Sequence, residues 1–208
     1  MDFLIIFLLI ITGLVVFFLL FWRFWFLRDP RRKIPSGNNI ISPADGKVNK
    51  IIRGTKWKQK INKGLMGKIN TLAGEISKEY YLVNIVMTPF DVHIQRAPIA
   101  GKVKKVKYTK GRFKNAVSSE IAIENENNEI LIEGRIKVKV IQIAGAVARR
   151  IICFVKKNQN LNKGERLGLI NFGSQVSLII PANVKLNIKK GQRVKAGETI
   201  IGEIKDIK

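Results

Sequence analysis

Two regimes of hydrophobic patterning divide the chain. Phe3 to Trp22 is apolar throughout, interrupted only by Thr12 and Gly13, and Phe24 to Leu27 extends the run past Arg23. A stretch of this length is what a helix needs to cross the hydrocarbon of a bilayer. A cleaved signal peptide fits poorly, because Met1-Asp2 supplies no basic n-region and no small-x-small site follows. An in-plane interfacial helix fits less well, because no polar face is visible. Trp22 and Trp25 stand at the end of the run, and Arg28-Asp29-Pro30-Arg31-Arg32-Lys33 follows. Basic residues just after a span hold that side in the cytoplasm. The expected organisation is a single-pass membrane anchor over 1–27 with its N-terminus outside, a basic, turn-rich linker over 28–39, and a cytoplasmic domain over 40–208.

Beyond the linker the apolar runs are short. Tyr81 to Met87, Leu167 to Ile170 and Val176 to Ile180 read as buried strands, the last stopping at Pro181. Ile136 to Val140 and Val184 to Ile188 alternate apolar with polar, the pattern of half-exposed strands. Ala144 to Ile152 is the best candidate for a short helical turn. Gly54 to Gly74, polar and basic around Trp57, reads as a solvated insertion or a membrane-facing loop. Pro-x-x-Gly-Lys-Val occurs at Pro43–Val48 and again at Pro98–Val103. Lys163-Gly164-Glu165 and Ala196-Gly197-Glu198 each introduce a similar apolar segment. Such repetition predicts a duplicated β unit. The expected fold is mostly β: a β-sandwich or hammerhead-like duplicated domain, as in biotinyl and lipoyl domains, behind an N-terminal transmembrane helix. No Met-Lys-Met or Asp-Lys-Ala attachment turn supports a swinging-arm carrier.

Charge narrows the partners. Lys and Arg number 38 against 15 Asp and Glu, a net +23 over 208 residues, spread along the whole soluble part. This calls for an anionic partner. No aromatic-interleaved RNA motif, zinc spacing or helix-turn-helix accompanies the charge, which favours the headgroups of an anionic membrane and argues against nucleic acid. The one cysteine, Cys153, lies in the apolar run Ile151 to Val155 and reads as a core residue. With His93 as the one histidine, there is no ligand set for a structural zinc, and no metal is expected.

Candidate chemistry starts at Gly173-Ser174, the junction between two probable strands. Glycine gives the backbone room, and the serine hydroxyl can turn on its own preceding carbonyl. Taken alone it reads as a plain turn. Asp45 and Asp91 likewise read alone as turn residues, and His93 as a structural or exposed histidine.

Their order along the chain changes this. Leu27-Arg28-Asp29-Pro30-x-Arg32, Ser42-Pro43-Ala44-Asp45-Gly46, Met87-Thr88-Pro89-Phe90-Asp91-Val92-His93-x-x-Arg96-Ala97-Pro98 and Phe172-Gly173-Ser174 occur in sequence. Gln142-Ile143-Ala144-Gly145-x-x-Ala148-Arg149-Arg150-Ile151 and Lys163-Gly164-Glu165-x-x-Gly168 lie between the last two. Together they resemble the phosphatidylserine decarboxylase family in its short, archaeal-type form, which includes archaetidylserine decarboxylases. Two departures stand out. Gln175 occupies the position after the cleavage-site serine where the family often has Thr, and Arg96 occupies the position where long forms carry a second histidine.

The resemblance implies a proenzyme that cuts itself between Gly173 and Ser174, giving a β chain of 1–173 and an α chain of 174–208. Ser174 Oγ attacks the Gly173 carbonyl, with Asp45 and His93 as the activating pair of a triad. The resulting ester eliminates, and Ser174 becomes a pyruvoyl group, a covalent cofactor made from the chain itself. That group forms a Schiff base with the serine headgroup of the phospholipid, diacyl or archaeal ether-linked, and CO₂ is lost. His93 is the implied proton donor to the carbanion. Arg96, and after it Arg149 and Arg150, are the implied phosphate ligands. A non-catalytic, membrane-anchored hammerhead adaptor, a nucleic-acid-binding membrane protein and a family member that no longer self-cleaves are the competing readings. The oligomeric state, a homo-oligomer included, is left open.

Overall fold

The computed structural model describes residues 3–55, 75–111, 126–145, 151–171 and 175–204. Phe3–Leu20 form an α-helix, α1, and Phe21–Phe26 continue it as a π-helical turn in which the Leu27 N–H reaches the Trp22 carbonyl at 3.1 Å. Every residue of α1 is exposed, and among the described residues Phe3–Phe26 is the one helix long and apolar enough to cross a membrane. The widened turn sets Phe26 against the domain, where it is fully buried.

The rest of the described chain is β. Its strands are β1 (Asn39–Ile41), β2 (Gly46–Thr55), β3 (Glu79–Val86), β4 (Ile94–Arg96), β5 (Gly101–Thr109), β6 (Asn127–Glu133) and β7 (Lys137–Ile143). They continue with β8 (Ile151–Cys153), β9 (Asn160–Leu161), β10 (Arg166–Ile170), β11 (Gln175–Pro181), β12 (Lys185–Leu186), β13 (Arg193–Val194) and β14 (Ile200–Glu203). One curled sheet runs β13-β2-β3-β11-β7-β6-β5-β9, and two small sheets run β1-β14-β12 and β4-β10-β8. Val48, Val83, Ile85, Val103, Ile130, Ile132, Val138, Val140, Val176 and Leu178 project from the large sheet into one core and are fully buried there. Their period of two is the signature of a strand with one face inward.

The duplication expected from sequence is present and can be read residue by residue. The large sheet is palindromic: exchanging β2-β3-β11 for β5-β6-β7 and β13 for β9 reproduces its order, and the two small sheets exchange likewise. Val48 pairs with Ile85 and Val103 with Ile132, and both β2 and β5 bulge at the next step. Ser42 donates to Thr199 and accepts from Gly197; Ala97 donates to Glu165 and accepts from Gly164. Gly197 and Gly164 have positive φ in both copies, 80° and 83°. The repeats are not consecutive. One copy, β4 to β10, is continuous and is inserted into the other between β3 and β11. Where the inserted copy closes β6 to β7 with the short turn 134–136, the outer copy is interrupted after Val86 and resumes at Gln175.

Three expectations change. Residues 28–39 are a docked strap rather than a free linker: Arg28 donates to the Phe90 carbonyl, Asp29 pairs with Arg96 and Arg166, and Arg32 pairs with Asp45. Ile34 of the strap fills the notch between the two repeats, so close that a Cβ on Gly164 would lie 2.4 Å from its Cδ1 and one on Gly197 3.1 Å. Ile151–Cys153 form a strand against β10 instead of ending a helical turn; residues 146–150 lie outside the described set. β-branched Ile151 and Ile152 suit that edge pairing. Lys139, expected on an exposed face, is 1% exposed because Glu129 and Glu75 pair with its ammonium at 3.2 and 2.8 Å. Cys153 is half-buried at the margin of the core. The insertion expected around Trp57 falls on residues 56–74, outside the described set.

Candidate active site

Register brings the sequence motifs to one end of the large sheet. Lys47, Val86, Gln175 and Ile143 stand side by side on β2, β3, β11 and β7. Asp45-Gly46 therefore enters the sheet where Met87-Thr88 and Ala144-Gly145 leave it. Gly46, at φ 145°, is packed so tightly that a Cβ would lie 2.3 Å from the Val86 carbonyl. Gly173 and Ser174 fall outside the described residues, as do Arg149 and Arg150. Their neighbour Gln175 is the residue in that row.

His93 sits at the opening of the inserted repeat. Its carbonyl accepts from the Ile170 N–H at 3.3 Å and from Gln95 Nε2 at 2.7 Å, so the backbone of His93 is tied to the strand that leads into the Gly173-Ser174 junction. The imidazole is fully buried, and neither ring nitrogen has a hydrogen-bond partner among the described residues. The Phe26 ring lies over it, and Trp22 stacks on Phe26 at 4.6 Å. Burial pushes the His93 pKa down to about 4, with Arg28 adding to the effect and Asp91 opposing it. At neutral pH His93 is an uncharged imidazole in an apolar pocket, with a lone pair free to take a proton.

Asp45 is less enclosed, its side chain 13% exposed, and differently engaged. Arg32 Nη2 donates to its two oxygens at 2.9 and 3.0 Å, and the Ala196 N–H donates to Oδ1 at 2.7 Å. No contact joins Asp45 to His93 among the described residues; Arg32 and Ala196 hold it. In the inserted repeat the same position is Ala100, so the carboxylate is no requirement of the repeated frame. Asp91 keeps the role of a turn residue: Oδ2 accepts from the N–H and hydroxyl of Thr88, and Oδ1 accepts from Arg193. Arg96, implied as a phosphate ligand, spends its guanidinium on Asp29 and on the Gly164 carbonyl. It locks the strap to the domain.

Little in the sequence warns of a buried amide chain behind His93. Asn128 Nδ2 donates to Gln142 Oε1, Gln142 Nε2 donates to Gln95 Oε1, each at 2.8 Å, and Gln95 Nε2 closes on the His93 carbonyl. All three side chains are essentially inaccessible. By the repeat correspondence Gln95, Gln142 and Asn128 stand where the outer copy has Ile40, Ile180 and Tyr81. Three amides in place of apolar side chains are tolerated in a core because they hydrogen-bond to one another, with Asn128 Oδ1 left without a partner among the described residues. Gln142 inside the run Val140 to Ile143 was the available signal.

Residues 19–202 match the model of the phosphatidylserine decarboxylase family. The chain is 42% identical over 184 residues to the phosphatidylserine decarboxylase proenzyme of Desulfotalea psychrophila, covering 86% of this chain and 78% of that one. It is 40% identical over 183 residues to the enzyme of that name from Wolbachia pipientis, covering 86% and 74%. It is 41% identical over 189 residues to a Methanocaldococcus jannaschii protein provisionally named archaetidylserine decarboxylase proenzyme, covering 88% and 90%. With the match running from the end of the apolar helix to the last strand, the chain belongs to the phosphatidylserine decarboxylase family.

Proposed function

We propose that this decarboxylase is a membrane-bound proenzyme that cuts itself between Gly173 and Ser174 and then decarboxylates a serine phospholipid to its ethanolamine counterpart. The observation that supports the reading is the tie between the His93 carbonyl and the Ile170 N–H, which links the backbone of a residue with a buried, uncharged imidazole to the segment that leads to Ser174. Neutral His93 takes the proton of Ser174 Oγ as that oxygen adds to the Gly173 carbonyl. The C–N bond breaks and the proton passes to the freed amine of residue 174. β-Elimination releases the Gly173 carboxylate and leaves a dehydroalanine, which water converts to a pyruvoyl group and ammonia. That group supplies the carbonyl that captures the substrate amine and the electron sink for loss of CO₂. Gln175, whose Nε2 donates to Ser177 Oγ, itself a donor to Asn84 Oδ1, fixes the backbone that would carry the group.

His93 favours the base role. To protonate the decarboxylated carbanion it must first gain a proton, which becomes easier once a charged headgroup enters its pocket. Asp45 acts on Ser174 from the same end of the sheet, with Arg32 paired to its carboxylate. The apolar helix anchors the domain in the membrane, and the Arg28 to Lys33 cluster keeps the domain on the cytoplasmic side, beside a substrate that stays in the bilayer. Arg149 and Arg150 remain the proposed phosphate ligands. A hammerhead adaptor without catalysis is the second reading, and it lacks any use for the buried His93.

Intact mass and CO₂ release, measured on the same membrane preparation of wild-type protein and Ser174→Ala, test this. Wild type should yield two chains, the smaller with a blocked N-terminus; Ser174→Ala should remain one inactive chain. Wild-type CO₂ release from uncut Ser174→Ala would overturn the mechanism.

A further inference from the structure

Phe90 is 67% exposed at the tip of the turn Thr88–Val92, and its ring meets Phe21 of the apolar helix edge-on, with centroids 6.3 Å apart. Phe21 precedes the aromatic and basic belt of Trp22, Arg23 and Trp25. It stands five residues before Phe26, where the helix meets the domain, on the order of 7 Å further along the axis at ordinary helical rise. Whatever surrounds Phe21 therefore surrounds Phe90.

The turn is built for such a setting. The Phe90 carbonyl accepts from Arg28 Nη2 at 2.6 Å, and the Thr88 carbonyl accepts from the Asp91 N–H at 3.0 Å. The Asp91 carboxylate is covered by Thr88 on one oxygen and by Arg193 at 3.1 Å on the other. Internal satisfaction of polar groups is what a backbone needs at membrane depth. Arg28, whose guanidinium also lies 4.5 Å from the Trp25 ring, and Arg193, whose side chain is 70% exposed, place positive charge around the tip, where anionic headgroups would lie.

We propose that the Thr88–Val92 turn is a second membrane insertion point, with Phe90 immersed in the acyl region of an anionic bilayer alongside Phe21. The proposal rests on the reading of Phe3–Phe26 as a membrane span. His93 follows Phe90 by three residues, so insertion of the tip sets the active-site histidine at the depth where a phospholipid headgroup meets water.

Depth-dependent quenching of an environment-sensitive dye on the full-length protein tests this. In a Cys153→Ala background, single cysteines replace Phe90, Val15 or Lys157, and each protein is labelled with NBD in vesicles of phosphatidylglycerol and phosphatidylcholine. Doxyl lipids then serve as quenchers. The dye at 90 should emit to the blue and be quenched by acyl-chain doxyl several-fold more than the dye at 157, as should the dye at 15. Quenching at 15 with a water-like, unquenched dye at 90 overturns the insertion point and leaves the span intact. Absence of quenching at both positions overturns the span, and the insertion point with it. Because no arm reads activity, these outcomes are separate from any failure of the decarboxylase reading.

Discussion

The ring of Phe26 lies over the imidazole of His93, with centroids 4.0 Å apart and planes tilted by 31°. The last aromatic of the apolar helix thus forms one wall of the histidine's pocket. The apolar helix and the candidate site share a side-chain contact as well as a chain.

This contact sets a pH dependence. The ordinary histidine value is 6.5 and the folded value is about 4, so the unfolded state binds the proton more tightly. The stability supplied by neutral His93 is complete above pH 6.5 and is lost as pH falls toward 4. At about 1.4 kcal/mol per unit the loss is on the order of 3 kcal/mol. Melting temperature against pH should show this acid limb in wild type and a smaller one in His93→Leu. Phe26→Ala, which wets the ring, should raise the His93 pKa toward 6.5 in an NMR titration. An unchanged pKa would mean that Phe26 does not keep the pocket dry.

Asp45 needs two variants to interpret. Asp45→Ala leaves the buried Arg32 guanidinium to Glu198 at 4.0 Å, at a cost of up to about 3–5 kcal/mol. Loss of self-cleavage in that variant would confound folding with chemistry. Arg32→Met with Asp45→Ala removes both charges and should recover most of the stability. If the double variant also recovers cleavage on a gel, the carboxylate is a structural partner of Arg32 and takes no part in activating Ser174.

Gln142→Leu should separate the amide chain from the core around it. It leaves Gln95 and Asn128 with unpaired amide groups in the interior, costing about 2–4 kcal/mol by urea unfolding. A rate of self-cleavage that falls by tenfold or more at a temperature where the variant is fully folded would mark the chain as what positions His93. An unchanged rate would confine it to stability.

At Gly164 two costs combine. Alanine there must adopt φ 83° and place its Cβ against Ile34. Gly164→Ala should lose about 2–3 kcal/mol. Adding Ile34→Ala relieves the clash but not the backbone strain, so it should return only part of the loss. Full return would mean that the φ penalty at this turn is negligible.

The strand runs, the apolar helix and the duplication were legible because each rests on periodicity or on motifs a few residues long. Val176 to Ile180 and Tyr81 to Met87 are apolar because they line the core, and the copies at Pro43 and Pro98 do occupy equivalent places. The strap was not legible. Its contacts, Arg32 to Asp45, Asp29 to Arg96 and Ile34 to Gly164, join residues far apart in sequence, and a basic run reads the same whether solvated or docked. Arg96 shows the limit most plainly: a positive charge near the expected chemistry turned out to be neutralised by a partner 67 residues away. Lys139 failed in the same manner, because alternation reports which face a residue is on and not what covers that face.

The interleaving of the repeats constrains the order of events in the molecule's life. A cut after Gly173 would leave β11 to β14 as a short separate chain, yet β11 is wedged between β3 and β7, β13 is paired to β2, and β14 to β1. The short piece would be held on three sides by strands of the longer one and could not drift away. Nor could it easily find its way back, since continuity through the inserted repeat is what delivers β11 to its slot. Folding would have to come first and scission second, and a cut molecule once fully denatured would lack the tether needed to fold again. Maturation at this junction would therefore act as a ratchet, turning a reversible folder into one whose native state persists by topology and cannot be regained by simple renaturation.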